Sequence, residues 1–378
     1  MTDGPRAVKP DEFESLMELV NTVFRTDQGK APTMEKEYPH LFAPDNFHNL
    51  RVIREDGKIV SHVGMTVRSA VILGCHVRVG NVGAVGTYKK YRGRGFASMC
   101  FDDVCANALA QGVDFLKISG DRGLYRRAGC RPVGLDHEFT IPKGCAAVRC
   151  SGVKVERYKD VYLSAVKRLY ENEPVRYLRP LEEWRRVLRD GRPTHHGAEL
   201  WVVRRGDTIV AYTALLPPRS DGTAALEEFA GDRVALLGAL EALMERKHLN
   251  AITLHVQSHD HVLYSLLVGC GTTPRPVHSG GTHVIINFPQ LMTHLRPLIE
   301  ERVGTAEADK LSFREYNGRC IFAYEGETIV ASDRGGAAQF VWGTREPPEW
   351  QWLKEGKGKE ILQAAFPVPA LVYGFSYV

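Results

Sequence analysis

The stretch Tyr91–Cys100, YRGRGFASMC, sets two glycines among two arginines and runs directly into an apolar segment. Glycines let the backbone turn sharply and come close to a ligand. Amides at a helix start lack intrahelical partners, and the helix dipole adds partial positive charge, so a phosphate suits the place. The preceding VGAVGT, residues 82–87, reads as a strand delivering the chain to this loop. The following helix is expected from Phe96 to Gln111, with Gly112 as its stop. Two familiar phosphate loops do not match. No Gly-Lys-Ser/Thr follows, and Ser98 stands where a dinucleotide fingerprint needs its third glycine. Taken alone, the spacing is equally well explained by a plain turn with two solvated arginines.

Bulk properties narrow the classes. The chain has 378 residues, long enough for two or three domains. Hydrophobic residues make up 44% and charged residues 25%, ordinary values for globular proteins. A net charge of +4, from 49 basic and 45 acidic residues, is too small to point to nucleic acid. Of the eight cysteines (Cys75, Cys100, Cys105, Cys130, Cys145, Cys150, Cys270 and Cys320), none forms a C-x-x-C pair. The opening MTDGPRAVKPDEFESL has no apolar signal segment, and no run reaches the roughly 20 apolar residues of a membrane span. The expectation is a cytoplasmic protein with free thiols and no membrane partner.

The periodicities alternate between sheet and helix. Phe13, Leu16, Met17, Leu19, Val20 and Phe24 recur at helical spacing. Strands are expected around the turn Glu55–Asp56–Gly57, with a further one after it. A second unit, starting near Ser151, repeats the order of elements without the glycine loop. It has a helix stopped at Gly191, a hairpin at Arg205–Gly206–Asp207 and a helix with the core stripe Leu236, Leu237, Leu240, Leu243 and Met244. A third unit opens near His283 with a strand and a helix carrying Pro289 near its first position. A meander around Asn317–Gly318 and Glu325–Gly326 follows, then an apolar terminal strand, FPVPALVYGFSYV.

The run VGAVGTYKKYRGRGFASMCFDDVCANALAQG resembles the acyl-CoA-binding core of the GNAT N-acetyltransferases, whose motif is Q/R-x-x-G-x-G/A. Arg92, Gly95 and Ala97 take its defined positions. The segment Leu124–Cys130, LYRRAGC, resembles the family's Y-x-x-x-G-F, departing at Cys130, where an aromatic residue is usual. An N-terminal GNAT unit, a second unit without the loop and a final helix-plus-meander together resemble the Eis (enhanced intracellular survival) group. The resemblance implies an α/β (α+β) fold: tandem GNAT folds with mixed sheets, then a sterol carrier protein-like domain. The boundaries would be residues 1–147, 148–283 and 284–378.

The resemblance also implies a chemistry. Acetyl-CoA would be the cosubstrate, with its pyrophosphate on Gly93, Arg94, Gly95, Phe96, Ala97 and Ser98, beside Arg92. Its pantetheine would pair with Val85, Gly86 and Thr87, and Gly120 and Asp121 would complete the site. Tyr125 would be the general acid; an ordinary tyrosine, with a pKa near 10, is protonated at neutral pH. The C-terminal carboxylate of Val378 would be the base, although an ordinary terminal carboxyl, with a pKa of about 3.3–3.7, is a poor one unless burial or a water relay assists it. Asp27 is a candidate for holding a cationic acceptor, against the alternative of a solvated loop. No metal is expected: His255, His259 and His261 around Asp260 read as a strand end and a capped helix, and His195–His196 as loop. The acceptor would be a small-molecule amine or a protein lysine, and the assembly a homo-oligomer, a trimer or a hexamer. The final FSYV offers no acidic side chain, which counts against an aminoglycoside. The alternative functions are a non-catalytic acyl-CoA sensor or scaffold, and a lipid carrier built on the last unit.

Overall fold

The structure, a computed structural model, describes residues 2–145, 152–188, 197–348 and 355–378. Cys150, Ser151, Gly191, His195 and His196 lie outside them. In chain order the first elements are β1 (Thr2–Ala7), α1 (Phe13–Phe24), α2 (Met34–Glu37), β2 (Leu50–Glu55), β3 (Lys58–Ile72), β4 (Cys75–Thr87), α3 (Phe96–Ala110), β5 (Phe115–Ile118) and α4 (Gly123–Arg127). Next come β6 (Asp136–Pro142), β7 (Val153–Arg157), α5 (Leu163–Glu171), β8 (Val175–Tyr177), α6 (Leu181–Val187), β9 (Glu199–Arg205), β10 (Thr208–Leu215), β11 (Thr223–Gly231), α7 (Arg233–Lys247), β12 (Ala251–Val256), α8 (His261–Gly269) and β13 (Arg275–Val277). Last are β14 (Thr282–Ile285), α9 (Phe288–Val303), α10 (Thr305–Ala308), β15 (Leu311–Tyr316), β16 (Arg319–Tyr324), β17 (Glu327–Ser332), α11 (Arg334–Trp342) and α12 (Lys357–Ala365).

Local chemistry explains the punctuation. Asp56 and Gly57, both at positive φ, close the β2–β3 hairpin between paired Glu55 and Lys58, the geometry that an Asp-Gly pair favours. Asp232, Asp260, Asn287 and Asp333 cap α7, α8, α9 and α11 by accepting from backbone amides 2.7–3.2 Å away. The α7 stripe Leu236, Leu237, Leu240, Leu243 and Met244 is buried, as its spacing predicts.

The chain divides into two compact units. One comprises Met1–Val133, Gly280–Val368 and Ser376–Val378; the other comprises Gly134–Ser279 and Pro369–Phe375. The first unit holds a sheet in the order β1-β2-β3-β4-β5-β14, with β4 and β5 parallel and the other pairs antiparallel. The second holds β13-β6-β12-β11-β10-β9-β7, with β11 and β12 its parallel pair. Each sheet thus has one parallel pair inside an antiparallel frame. Strand pairing does not follow the expected boundaries at residues 147 and 283. β6, before the first boundary, pairs with β12 in the second sheet, and β14, which the second boundary cuts, closes the first sheet beside β5.

The first unit also contains the antiparallel meander β15-β16-β17. Its interior is filled by Phe322, whose ring lies 4.8–6.0 Å from those of Phe288, Phe313, Phe340 and Phe366. The terminal segment departs from expectation. Residues 366–378 form no strand, only a short turn at Gly374–Ser376. Pro367 and Pro369 remove backbone donors that a ladder needs. No helix among the described residues is long and apolar enough to cross a membrane.

In the second unit a buried carboxylate organises the core. Glu228 accepts from both Nη atoms of buried Arg179, at 2.8 and 2.6 Å. It also accepts from the Tyr212 hydroxyl at 2.7 Å and the Phe375 amide at 3.0 Å. Removing one member of such a pair strands the other charge in the interior. Arg179→Met is therefore expected to destabilise the protein by about 3–5 kcal/mol, read from denaturant unfolding at neutral pH; a change within experimental error would contradict the burial of this pair.

Candidate active site

The site begins where two parallel strands part. β4 and β5 are paired from Val79–Phe115 to Val82–Ile118, and the Ser119 amide still donates to the Val82 carbonyl at 3.2 Å. β5 ends there, while β4 continues through Gly83, Ala84, Val85, Gly86 and Thr87. On its other side β4 bulges. His62 pairs with Gly86 but Gly64 pairs with Gly83, so β4 carries one extra residue. Ala84 sits in that bulge at a φ of 52°, uncommon for a residue with a side chain. Its carbonyl accepts a hydrogen bond from Nδ1 of His62 at 2.9 Å. Burial pushes the His62 pKa down to about 4, so the ring is neutral at physiological pH, and the bond to a carbonyl places its proton on Nδ1.

The glycine loop follows β4. Gly93 and Gly95 both have a φ of 79°, and Gly95 is the N-cap of α3, with no side chain capping the helix. A Cβ at either glycine would meet nothing within 4 Å, so the requirement for glycine is conformational rather than spatial. The helix start is therefore an open set of amides. The arginines are less free than the sequence suggests. Arg92 Nε donates to the Thr87 carbonyl at 3.1 Å, and Arg94 pairs with Glu55 at 2.9 Å. Phe96 is buried in the core with Phe101 and Val104; there only its backbone is suited to a ligand. Ala97 and Ser98 continue the first turn of α3.

Tyr125 lies on α4, buried, its ring 5.9 Å from that of Phe101. Burial pushes its pKa up to about 12, and Tyr377 is close enough to add to the rise. Tyr377 also tilts against Tyr38, at 6.3 Å. Val378 is buried, and a Cβ on Gly83 would fall 2.2 Å from its terminal carbon and oxygen. Only a glycine lets the C-terminus lie on β4 at that point.

The remaining candidates are otherwise engaged. Gly120 offers its carbonyl to the Thr282 hydroxyl at 3.0 Å, and Asp121 is paired with Arg126 at 2.5 Å. Asp27 is paired with Lys89 at 3.2 Å. Burial pushes the Cys100 and Cys105 thiols up to about 12, away from the reactive thiolate. Among the histidines, Nε2 of His255 meets Asp136 at 2.8 Å, and Asp260 caps α8. Among the described residues, no group of three or more His, Cys, Asp or Glu is arranged to hold a metal.

Residues 5–133, which contain the parted strands, the loop and Tyr125, match the family model described as acetyltransferase (GNAT) domain. That segment is therefore similar to a GNAT acetyltransferase domain. No curated protein matches the chain. Among solved structures, the chain is similar to a GCN5-related N-acetyltransferase from Anabaena variabilis, with a TM-score of 0.69 and 14% identity over 97% of each chain. A probable N-acyltransferase from Enterococcus faecalis matches with a TM-score of 0.67 and 14% identity, over 97% of this chain and 98% of that one. Eis1 from Mycobacterium abscessus matches with a TM-score of 0.66 and 12% identity over 100% of both chains. At such identities the likeness is one of fold: a mixed α/β architecture with several mixed sheets.

The reading of the sequence did not single out His62, Asn81 and Gly83. The available signal was a histidine and an asparagine inside otherwise apolar strand runs, IVSHVGMTV and VRVGNVGAVG. His62 has a measurable consequence. Its folded pKa of about 4 lies below the ordinary 6.5, so the unfolded chain binds the proton more readily. The stabilisation is complete above pH 6.5 and is lost as pH falls towards 4, in total about 3 kcal/mol. Unfolding free energies measured across that window should fall less in His62→Gln than in the parent; parallel curves would contradict the assignment.

Proposed function

We propose that the protein is an acetyl-CoA-dependent N-acetyltransferase that transfers the acetyl group directly to a primary amine. The observation that carries this reading is the place of the chain end. Val378 lies on β4 at Gly83, two residues before Val85, in the unit that holds the open helix start and Tyr125. Acetyl-CoA supplies an activated acetyl thioester. The uncapped amides from Gly93 to Ser98 suit its pyrophosphate, and the edge of β4 that β5 leaves at Val85, Gly86 and Thr87 suits its pantetheine amides. Gly120 and Asp121 belong to the same proposal, through backbone groups only.

The acceptor nitrogen must lose a proton before its lone pair can form the new C–N bond. The Val378 carboxylate takes that proton, directly or through a water. As the C–S bond breaks, the Tyr125 hydroxyl gives its proton to the departing sulfur. Its raised pKa keeps that proton in place at neutral pH. A backbone amide around Val85–Thr87 supplies a donor to the carbonyl oxygen.

Asp27 is already paired with Lys89, which favours an acceptor with few positive charges, a small amine or a protein lysine. We further propose a cytoplasmic homo-oligomer, trimeric or hexameric, whose meander unit is sterol carrier protein-like in fold. The phenylalanine rings that fill its interior argue against lipid carriage. Tyr125→Phe is expected to lower kcat by about 10²–10⁴-fold while leaving the dissociation constant of acetyl-CoA within twofold, roughly 0.4 kcal/mol. A variant that keeps full turnover would sink the acid assignment. Two residues appended after Val378 are expected to lower turnover without affecting acetyl-CoA binding, and unchanged turnover would remove the carboxylate as the base.

A further inference from the structure

Asn81 is a fully buried amide in the middle of β4, a place where sheets seldom put asparagine. It belongs to a row. Thr66 on β3, Asn81 on β4, Lys117 on β5 and His283 on β14 are successive cross-strand partners, and all four are buried. Cross-strand partners share a face of the sheet. A transverse line of polar side chains therefore crosses the interior of the first unit. Burying such groups is costly unless they are hydrogen-bonded. Lys117 is answered in part by the Gly280 carbonyl, at 2.8 Å. Asn81 is answered by the end of the chain: its Nδ2 donates to the Ser376 carbonyl at 3.0 Å.

The spacing gives this bond a meaning. Along β4, Asn81 and Gly83 are two residues apart and so face the same side. Along the tail, Ser376 and Val378 are also two residues apart. Asn81 meets Ser376, and Gly83 meets the carboxyl group of Val378. The two segments therefore touch at two points, each pair two residues apart along its own segment. The Asn81 amide fixes the register, and the open space above Gly83 receives the carboxylate. A slip of one residue would put the Ser376 carbonyl out of reach and carry the carboxylate off the glycine. The tilt of Tyr377 against Tyr38 holds the residue between.

We propose that Asn81 is the positioning residue for the terminal carboxylate: through Ser376 it sets where the proton acceptor of the reaction stands. This rests on the acyl-transfer reading, in which Val378 is the base. Asn81 acts through the tail, by its bond to the Ser376 carbonyl. Gly83 is its steric counterpart, since alanine there would place a Cβ where the carboxyl group lies.

The test uses the full chain and two variants, Asn81→Leu and Gly83→Ala, each with and without two residues appended after Val378. The first readout is release of Val378 by a carboxypeptidase, which needs no knowledge of the acceptor. Both variants should release it at least tenfold faster than the parent, with acetyl-CoA affinity retained. The second readout is the pH profile of acetyl transfer to benzylamine. Both variants should lose the limb that reports the carboxylate, and neither should slow the extended protein further, because groups acting through one element are not additive. Unchanged release in both variants overturns the positioning role. So does a loss of turnover that adds in full to that of the extension, since it would mark Asn81 as merely structural. The extension alone tests the underlying reading: if it leaves turnover intact, Val378 is not the base and the proposal falls with it.

Discussion

The parting of β4 from β5 after Val82 is the constraint on which the site depends. A parallel pair that stayed closed would satisfy its own amides and leave nothing for a ligand. Here β5 stops at Ile118, and β4 runs on beside β3 only, with a bulge whose Ala84 carbonyl His62 answers. The free edge then leads into the glycine loop and the uncapped start of α3. The same unit thus supplies a strand edge that β5 has left, a cluster of amides at a helix start and a docking line for the last residues of the chain.

The same architecture explains why several residues hold unusual conformations or lack a side chain. Ala84 is left-handed because the bulge needs it, and a buried, neutral imidazole answers its carbonyl. Gly83 is bare because the C-terminus occupies the space of a Cβ. Gly93 and Gly95, in contrast, have open space around them, and their value is the backbone turn alone. Glycines a few residues apart therefore serve different physical ends.

Much of this was legible in the sequence. The loop, the helix from Phe96, the turn at Asp56–Gly57 and the cap at Asp260 depend on short-range chemistry, which a linear reading captures. Tyr125 came through resemblance rather than through spacing. What escaped depends on contacts between distant segments. Nothing near Asn81 in the chain reveals that its partner lies at Ser376, and nothing near Gly83 reveals the carboxyl group of Val378. The exchange of β6 and β14 between the sheets is likewise a matter of long-range pairing. The tail was expected to be a strand because it is apolar; its prolines and its role as a docked end make it irregular. Arg94 and Asp121 read as ligand groups in the sequence, yet each has a side-chain partner from the protein itself.

The proposed acyl transfer requires the first unit to hold a coenzyme on its open strand edge and helix start. Isothermal calorimetry of the full chain with acetyl-CoA tests it most directly. Saturable binding at one site per chain, with micromolar affinity, is expected. An absence of binding would mean that the loop is a turn with two occupied arginines, and the assignment of an acyl-transfer site would be contradicted.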